Sequence, residues 1–269
     1  MRLGSFKKVT FSIVFCIIAF CGSSHAQTNE QRSLILVIGA PGAPEYAEEF
    51  SASAALWQAA ANKGGLQVSV IGQNDTIEDD RTRLLNVLAS EVSKPAGELW
   101  LVFLGHGTFD GKTAKFNLRG PDISAEELAT ALKPCRRPLV VIQCASASGP
   151  FLKALSGTNR VVITATRSGY ELNVTRFGSF MARAIADSTA DLDKDGQTSL
   201  LEAFLMASRQ VEQFYKDQGR LLTEHALLDD NGDGLGTPPD WFSGLRAVKK
   251  AADGKSVDGV RANQMILVR

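Results

Sequence analysis

Several features that point to common classes of function are scarce or missing in this sequence. The 29 Lys and Arg residues are balanced by 29 Asp and Glu residues, which argues against nucleic-acid binding because that role usually needs a basic surface. A Gly-x-Gly-x-x-Gly dinucleotide fingerprint and a phosphate loop of Walker type are both absent. We therefore expect neither an organic cofactor nor a nucleic-acid partner.

Hydrophobic runs long enough to cross a bilayer are also lacking, and the longest apolar run lies near the N-terminus. Residues 1–26 combine a basic start, an apolar core at residues 9–20 and a small-residue cleavage site at Ser24-His25-Ala26, which is the pattern of a secretory signal. The sequence therefore predicts a protein that is exported, periplasmic or secreted, with no membrane span after signal removal. Lipid attachment at Cys21 is the less favoured alternative because the bulky Phe20 precedes it.

Cysteine is scarce as well, and only Cys135 and Cys144 remain after the predicted signal. They flank one predicted strand of about six residues, so their Cα atoms should lie about 20 Å apart, whereas a disulfide needs less than about 7 Å. We therefore expect two free thiols in a compartment that permits disulfides. A thiol kept free at a strand edge fits a catalytic role, and a buried, inert thiol is the alternative.

Short apolar runs alternate with helical patterns between residues 34 and 166. The runs are continuous and bounded by Gly or Pro, as expected for strands that are buried on both faces. One intervening helix has a clear start, because Ser124 and Glu127 form a capping-box pattern. This alternation predicts an α/β fold with a doubly wound, mostly parallel sheet and helices on both faces.

Two neighbouring strands of the predicted sheet end on residues that can do chemistry. The run at residues 99–104 leads into Gly105-His106-Gly107, and the run at residues 138–143 leads into Cys144. Because the carboxyl ends of parallel strands meet at one edge and neighbouring strands are about 4.8 Å apart, we expect the imidazole and the thiol to approach one another. The imidazole and the dipole of the following helix would both favour the thiolate. The pattern predicts a cysteine nucleophile with a histidine partner.

Two acidic loops follow the predicted sheet. Alternating oxygen ligands with a glycine at the sharp turn are typical of a calcium loop. The first loop fits that pattern with Asp191, Asp193, Asp195, Gly196, Gln197, Ser199 and Glu202. The second fits with Asp229, Asn231, Asp233, Gly234, Thr237 and Asp240, although Pro238-Pro239 forbids an ordinary exiting helix. We predict bound Ca²⁺, and the alternative for the first loop is a solvated acidic turn with a helix start at Ser199.

The segments around the two strand ends resemble the legumain and caspase clan of cysteine peptidases. Gly105-His106-Gly107 and Ile142-Gln143-Cys144-Ala145-Ser146 are similar to the histidine and cysteine segments of that clan. Residues 38–42 with Tyr46, and residues 163–169, are similar to its first turn and to the segment beyond its nucleophile. The likeness covers about residues 34–185, and the acidic loops resemble calcium-type segments appended to bacterial members.

The resemblance implies a caspase-like, doubly wound α/β domain in which Cys144 is the nucleophile and His106 the general base or acid. It also implies an oxyanion hole formed by the backbone N–H groups of Gly107 and Cys144. The pocket for the substrate residue before the cut would be walled by Arg167, Ser168 and Glu171. Ala47 stands where legumains have an arginine that helps to bind asparagine, so specificity for asparagine does not follow.

These observations divide the chain into four expected parts. They are a signal at residues 1–26, a caspase/legumain-like domain at 27–185, an EF-hand-like acidic-loop segment at 186–242 and a tail at 243–269. The expected function is that of an exported cysteine endopeptidase that cleaves peptide or protein substrates through a Cys-His dyad and is stabilised by Ca²⁺. Two alternatives stay open: an inactive caspase-fold module that binds partners in a calcium-dependent way, and a transpeptidase that uses the same cysteine.

Overall fold

The computed structural model describes Met1, residues 31–74 and residues 78–268. Apart from Met1, the predicted signal lies outside these described residues, so export stays a prediction. Of the helices that the structure describes, none combines the length and the apolar character needed to span a bilayer.

The described strands form one large sheet and two small ones. In chain order the strands are β1 (Ser33–Ile38), β2 (Gln67–Ile71), β3 (Leu99–Leu104), β4 (Gly107–Phe109), β5 (Ala114–Phe116), β6 (Ile123–Ser124), β7 (Leu139–Gln143), β8 (Arg160–Thr164), β9 (Leu227–Asp229), β10 (Phe242–Ser243) and β11 (Arg246–Ala247). The large sheet has the order β2-β1-β3-β7-β8-β9. Its first five strands run parallel and β9 is antiparallel to β8. The predicted mostly parallel, doubly wound α/β fold is therefore confirmed.

Helices cover both faces of the large sheet. They are α1 (Pro44–Lys63), α2 (Asp80–Val92), α3 (Ala125–Leu132), α4 (Gly149–Leu155), α5 (Phe177–Ala184) and α6 (Leu200–Asp217). Helices α1, α5 and α6 bury Trp57, Phe177 and Phe204 against one face. Helices α2, α3 and α4 bury apolar side chains such as Leu84 and Phe151 against the other. Since α6 and β9 belong to this same packing, the acidic loops that flank them are anchored to the main core.

Local sequence signals explain where several helices begin. Ser124 and Glu127 form the predicted capping box, in which each side chain bonds to the other residue's backbone N–H at the start of α3. Ser199 and Glu202 do the same at the start of α6. Ser199 and Glu202 are also predicted ligands of the first calcium-type loop. Their side chains are therefore engaged in the capping box at positions where the sequence predicts metal ligands.

A buried arginine ties together the amino end of the sheet. Arg137 precedes β7, and its side chain is fully buried beside the carboxylate of Glu91, with 3.0 Å between Nη1 and Oε2. It also donates hydrogen bonds of 2.7 Å to the backbone carbonyls of Gly97 and Glu98. These bonds hold the turn before β3 against the turn before β7. The two strands that carry His106 and Cys144 at their far ends are thus fixed in register.

The C-terminal tail packs into the core. Leu200 donates its backbone N–H to the Met265 carbonyl (2.8 Å), Ile266 forms an isolated bridge with Ser199, and Leu267 is fully buried. The tail therefore closes over the start of α6 instead of adding a full strand.

Candidate functional site

His106 lies at the carboxyl edge of the sheet, two residues after β3 ends. Its Nε2 atom is 3.1 Å from the backbone oxygen of Pro41. Because a carbonyl oxygen can only accept, Nε2 carries the proton of this hydrogen bond. The imidazole packs edge-on against Tyr46 and Phe50, with ring centroids 4.7 Å and 5.2 Å away. The turn before α1 and the first turns of that helix thus fix the orientation of the ring.

Cys144 directly follows β7 and faces the interior. The residue is 3% exposed and belongs to the core under α1, α5 and α6. A Cβ atom placed on Gly178 of α5 would lie 2.9 Å from Cys144 Cβ and 3.6 Å from Sγ. Beside the thiol lies a cavity of about 20 Å³, which Glu49, Phe50 and Ser53 border from α1. That volume accommodates about one water molecule, so the thiol has no room for a substrate carbonyl.

Burial raises the pKa of the Cys144 thiol far above its ordinary value, and the nearby carboxylate of Glu224 raises it further. We expected the imidazole and a helix dipole to favour the thiolate, and that expectation is wrong for this arrangement. Four residues separate Cys144 from the start of α4. Within residues 31–74 and 78–268, no hydrogen bond joins Cys144 Sγ to the His106 ring. The structure therefore brings both residues to one edge of the sheet without coupling them, and leaves both cysteines as free thiols, as predicted.

The two backbone donors of the predicted oxyanion hole are already engaged. The Cys144 N–H donates to the Phe103 carbonyl (3.1 Å) as a continuation of the strand pairing. The Gly107 N–H donates to Ser146 Oγ (3.3 Å), which in turn donates to the Gly107 carbonyl (3.1 Å). An oxyanion needs free donors aimed at it, so the structure does not offer the predicted hole. Gly107 has a structural reason to be glycine, since a Cβ there would meet the Ser146 carbonyl oxygen at 2.2 Å.

A hydrogen-bonded turn holds the segment after Cys144 in place. Ala147 adopts a left-handed conformation with φ of 54° and donates its N–H to the Glu171 carbonyl (2.8 Å). The Thr166 hydroxyl donates to the Ser168 carbonyl, so Ser148 Oγ must donate to Thr166 Oγ1 across 3.0 Å. A left-handed alanine costs energy and persists only where its surroundings enforce it. This network fixes the direction of the backbone around Cys144.

The predicted substrate pocket residues lie together, in an arrangement that the sequence did not indicate. Arg167 Nε is 3.1 Å from Glu171 Oε1, and His225 Nδ1 is 2.6 Å from the same oxygen. Ser168 Oγ accepts the N–H of Tyr170 (3.3 Å). The bond between His225 and Glu171 joins the loop after β8 to the segment before β9. Glu171 therefore links Arg167 and His225 at this edge of the sheet.

An apolar patch lies in the same loop as Arg167 and Glu171. Tyr170 is 74% exposed and Leu172 is 57% exposed. The Tyr170 ring meets the Phe109 ring edge-on, with centroids 5.1 Å apart, and Phe109 in turn covers Gly169. We call Phe109, Tyr170 and Leu172 the edge patch. It is an exposed apolar surface next to the exposed guanidinium of Arg167.

Three carboxylates meet in the first acidic loop. Oxygen atoms of Asp191, Asp193 and Asp195 lie within 4.8 Å of one another. Reduced solvation, followed by the charges of the neighbouring carboxylates, raises the pKa of Asp193. Gln197 donates its backbone N–H to Asp195 Oδ1 (2.8 Å), which closes the turn. Hard oxygens gathered in this way fit a cation such as Ca²⁺.

Glu202, the predicted closing ligand of that loop, is only 2% exposed. Its Oε1 accepts the Leu192 N–H (2.7 Å), and its Oε2 accepts the Ser199 N–H (2.8 Å). Both oxygens therefore serve the capping box and the backbone of the loop, and Ser199 likewise serves the cap. The three aspartates are the side chains that fit the cation, while Glu202 and Ser199 hold the ends of the loop together.

The second acidic loop is closed by a residue that the sequence did not single out. Asp229 accepts the N–H groups of Gly232 (2.9 Å) and Gly234 (2.6 Å). Asn231 and Asp233 accept backbone N–H groups two residues further on. Asp258, from the tail, accepts the Thr237 hydroxyl (2.6 Å), and burial raises its pKa to about 7. No local sequence pattern marks Asp258, because it lies on a distant segment.

Asp240, the predicted closing residue of this loop, lies in the short turn Pro239–Trp241. It is exposed and borders two cavities beside α6. Hydrogen bonds to Asp258 thus close the loop, and a role of Asp240 as a metal ligand stays a prediction.

Comparisons with known proteins bear on the fold alone. No family model matches the sequence, and no curated protein matches it. Among solved structures, the chain is similar to the Drosophila initiator caspase Dronc with a TM-score of 0.50 and 13% sequence identity. The match covers 85% of this chain and 93% of that chain. The chain therefore has a caspase-like fold. The legumain-like subfamily remains a prediction.

Proposed function

We propose that this chain is an exported caspase-fold binding module that holds a peptide at the carboxyl edge of its sheet and does not cleave it with Cys144. The position of Cys144 Sγ carries the proposal. A thiol that is packed against Gly178, beside a cavity of about 20 Å³, reaches no substrate, and its raised pKa disfavours the nucleophilic thiolate.

Peptide binding at this edge is supported by the edge patch. Isolated exposed apolar residues are ordinary, but adjacent exposed aromatic and aliphatic side chains are typical of interaction sites. Tyr170 and Leu172 are both exposed, and Arg167, in the same loop, has a side chain that is 61% exposed. Such a surface suits a peptide that has an apolar side chain, because the Arg167 guanidinium is already paired with Glu171.

The second candidate is the calcium-stabilised Cys-His endopeptidase that the sequence predicts, or a transpeptidase on the same cysteine. Two observations favour it: the caspase-like fold, and the position of the His106 ring at the sheet edge, where Nε2 bonds to the Pro41 carbonyl. This function requires the Cys144 side chain to leave its cavity and the Gly107 N–H to leave Ser146.

A digest of a peptide library separates these functions. We expect the wild-type protein and Cys144→Ala to give identical product lists, because Cys144 takes no part in cleavage. A fluorescent peptide selected for binding should lose affinity with Tyr170→Ala, while Tyr46→Phe, which leaves the edge patch intact, serves as the control. Cleavage or amine transfer that disappears in Cys144→Ala would establish the second candidate and overturn the first.

We also propose that the first acidic loop binds Ca²⁺ through Asp191, Asp193 and Asp195, and that the cation stabilises the fold without taking part in any reaction. Convergence of the three carboxylates supports this assignment. For a ligand concentration of 100 times Kd, the free energy of unfolding rises by about 2.7 kcal/mol. At about 2–4 °C per kcal/mol for a domain of this size, Tm should rise by roughly 5–11 °C.

The test compares thermal melts in chelator and in saturating calcium. We expect the shift in the wild type and in Asp217→Asn, a control carboxylate at the end of α6, but not in Asp193→Asn. Equal melting temperatures of the wild type with and without calcium would refute calcium binding. The loop would then be a solvated acidic turn.

A further inference from the structure

A cavity of about 520 Å³ lies between α6 and the segment that follows the second acidic loop. A second cavity of about 680 Å³ adjoins it along α6. Both have a common wall formed by Ser208, Glu212, Pro239 and Asp240. We call the smaller one the α6 cavity. Its volume is in the range that binds small organic molecules, and it is separate from the space beside Cys144.

Ser208 provides an unsatisfied polar group in the wall of this cavity. The residue is 8% exposed, and its hydroxyl oxygen has no hydrogen-bond partner within the described part of the chain. Leaving a buried hydroxyl unpaired is energetically costly, so such groups are rare without a reason. Because Ser208 borders both cavities, a bound molecule with a polar group would satisfy it.

The uncompensated charges of the α6 cavity are negative. Glu212 and Asp240 are exposed carboxylates in the common wall, and neither forms an ion pair with another described residue. Arg167 is already paired with Glu171, and the His225 ring bonds to the same carboxylate. Arg209 borders only the larger cavity.

Glu224, which also borders the α6 cavity, has its own partners. It accepts the backbone N–H groups of Arg176 (2.8 Å) and Phe177 (3.0 Å) and the Tyr215 hydroxyl (3.2 Å). Two free carboxylates are therefore left to attract a ligand. The remaining wall is largely apolar and is formed by Phe177, Val211, Leu222, Ala226, Leu227 and Trp241.

We propose that the α6 cavity binds an organic cation, namely a protonated amine or guanidinium carried on an apolar body. The apolar body would pack against Val211 and Leu222, and the Trp241 ring offers a face that attracts cations. The cationic head would lie near Glu212 and Asp240, where Ser208 Oγ accepts one of its N–H groups. The cation comes either from a free amine or from a basic side chain of a peptide. This proposal depends neither on Cys144 nor on the edge patch.

Calorimetric titration of the purified chain with three probes of similar shape tests the proposal. The probes are phenethylamine, the neutral 2-phenylethanol and the anionic phenylacetate. We expect phenethylamine to bind most tightly and phenylacetate most weakly, with the amine affinity falling as salt is added. A parallel titration with Nα-acetyl-lysine amide, which keeps its charged side chain, distinguishes the two sources of the cation. Tighter binding of this probe than of phenethylamine indicates a basic peptide side chain.

Substitutions in the cavity wall locate the binding. Exposed ion pairs contribute about 0.2–1 kcal/mol, so Glu212→Gln and Asp240→Asn should each weaken the amine by up to about fivefold. Ser208→Ala should also weaken it without lowering Tm, because the hydroxyl has no internal partner to lose. Glu48→Gln, an exposed substitution on α1, is the control and should change nothing.

Three outcomes would overturn the proposal. One is equal affinity for the amine and the alcohol, and a second is undiminished amine affinity in the Glu212→Gln, Asp240→Asn double variant. The third is no heat from any probe at millimolar concentration. Both substituted carboxylates are exposed, so these variants are expected to fold, and matching thermal melts check this.

Discussion

The change in the free energy of unfolding when the Cys144 sulfur is removed distinguishes a packed core thiol from an accessible nucleophile. An active-site nucleophile beside a substrate cleft can be substituted with little change in stability, because surface substitutions usually stay within about 0.5 kcal/mol. Cys144 is instead 3% exposed and packs on Gly178 of α5. We therefore expect both Cys144→Ala and Cys144→Ser to destabilise the fold, in a fixed order.

Cys144→Ala removes one buried heavy atom, which is comparable to the loss in Ile→Val, and that loss costs about 0.5–1.5 kcal/mol. The existing cavity of about 20 Å³ beside the thiol would become larger. At about 2–4 °C per kcal/mol, Tm should fall by roughly 1–6 °C. Cys144→Ser adds the penalty of a hydroxyl in an apolar site, about 1–3 kcal/mol if it finds no partner, and should be the less stable variant.

Urea unfolding of both variants, followed by circular dichroism, measures these costs. Cys135→Ala is the matched control, because that thiol is less deeply buried, at 9% exposure, and should cost less than Cys144→Ala. If both Cys144 variants unfold at the wild-type midpoint, the thiol is not a packed core group, and our assignment of it is refuted.

Other substitutions test the remaining parts of the structure. Arg137→Met removes the buried donor of Glu91 and of the Gly97 and Glu98 carbonyls, while Lys94 stays paired with Glu91, so the free energy of unfolding should fall by about 1–3 kcal/mol; a loss below about 0.5 kcal/mol would contradict this. Ser199→Ala removes the N-cap of α6 and should cost about 1 kcal/mol even in chelator, whereas a cost seen only with calcium would assign Ser199 to the metal. Burial raises the pKa of Glu224 above 4.5, so the folded state holds that proton more tightly, and this contribution to stability is lost as the pH rises above 4.5. Above pH 4.5, the free energy of unfolding of Glu224→Gln should therefore depend less on pH than that of the wild type. An unchanged pH dependence would count against the raised pKa.

Much of the fold could be predicted from the sequence because its signals are local. Continuous apolar runs between Gly and Pro identify β1, β3, β7 and β8, and the order of strands and helices predicts the parallel sheet. The capping box of Ser124 and Glu127 marks the start of α3 correctly. These features depend on neighbouring residues, so a sequence window contains all the information that they need.

The environment of Cys144 could not be predicted in the same way. A strand end specifies where the backbone arrives, but the direction of the side chain depends on the turn that follows and on the helix that covers it. Here the left-handed Ala147 fixes that turn, and Gly178, more than thirty positions away in sequence, accommodates the thiol. No local sequence pattern indicates this role for either residue.

The second acidic loop shows the same limit. Its spacing indicates a calcium-type loop from Asp229 onward, and its turns do form. Its closing carboxylate is nevertheless Asp258, from the tail, while Asp240 borders the α6 cavity. A partner contributed by a distant segment is a property of the tertiary packing, which spacing within the loop does not record.

The rate at which iodoacetamide alkylates Cys144 in a Cys135→Ser background, followed by intact mass across a pH series, tests the central claim most directly. For a thiol shielded by α1 and α5, we predict labelling no faster than global unfolding, with no rise near neutral pH. Fast labelling of the folded protein, with a midpoint below the ordinary thiol pKa of about 8.5, would show an accessible thiolate and contradict the binding-module account.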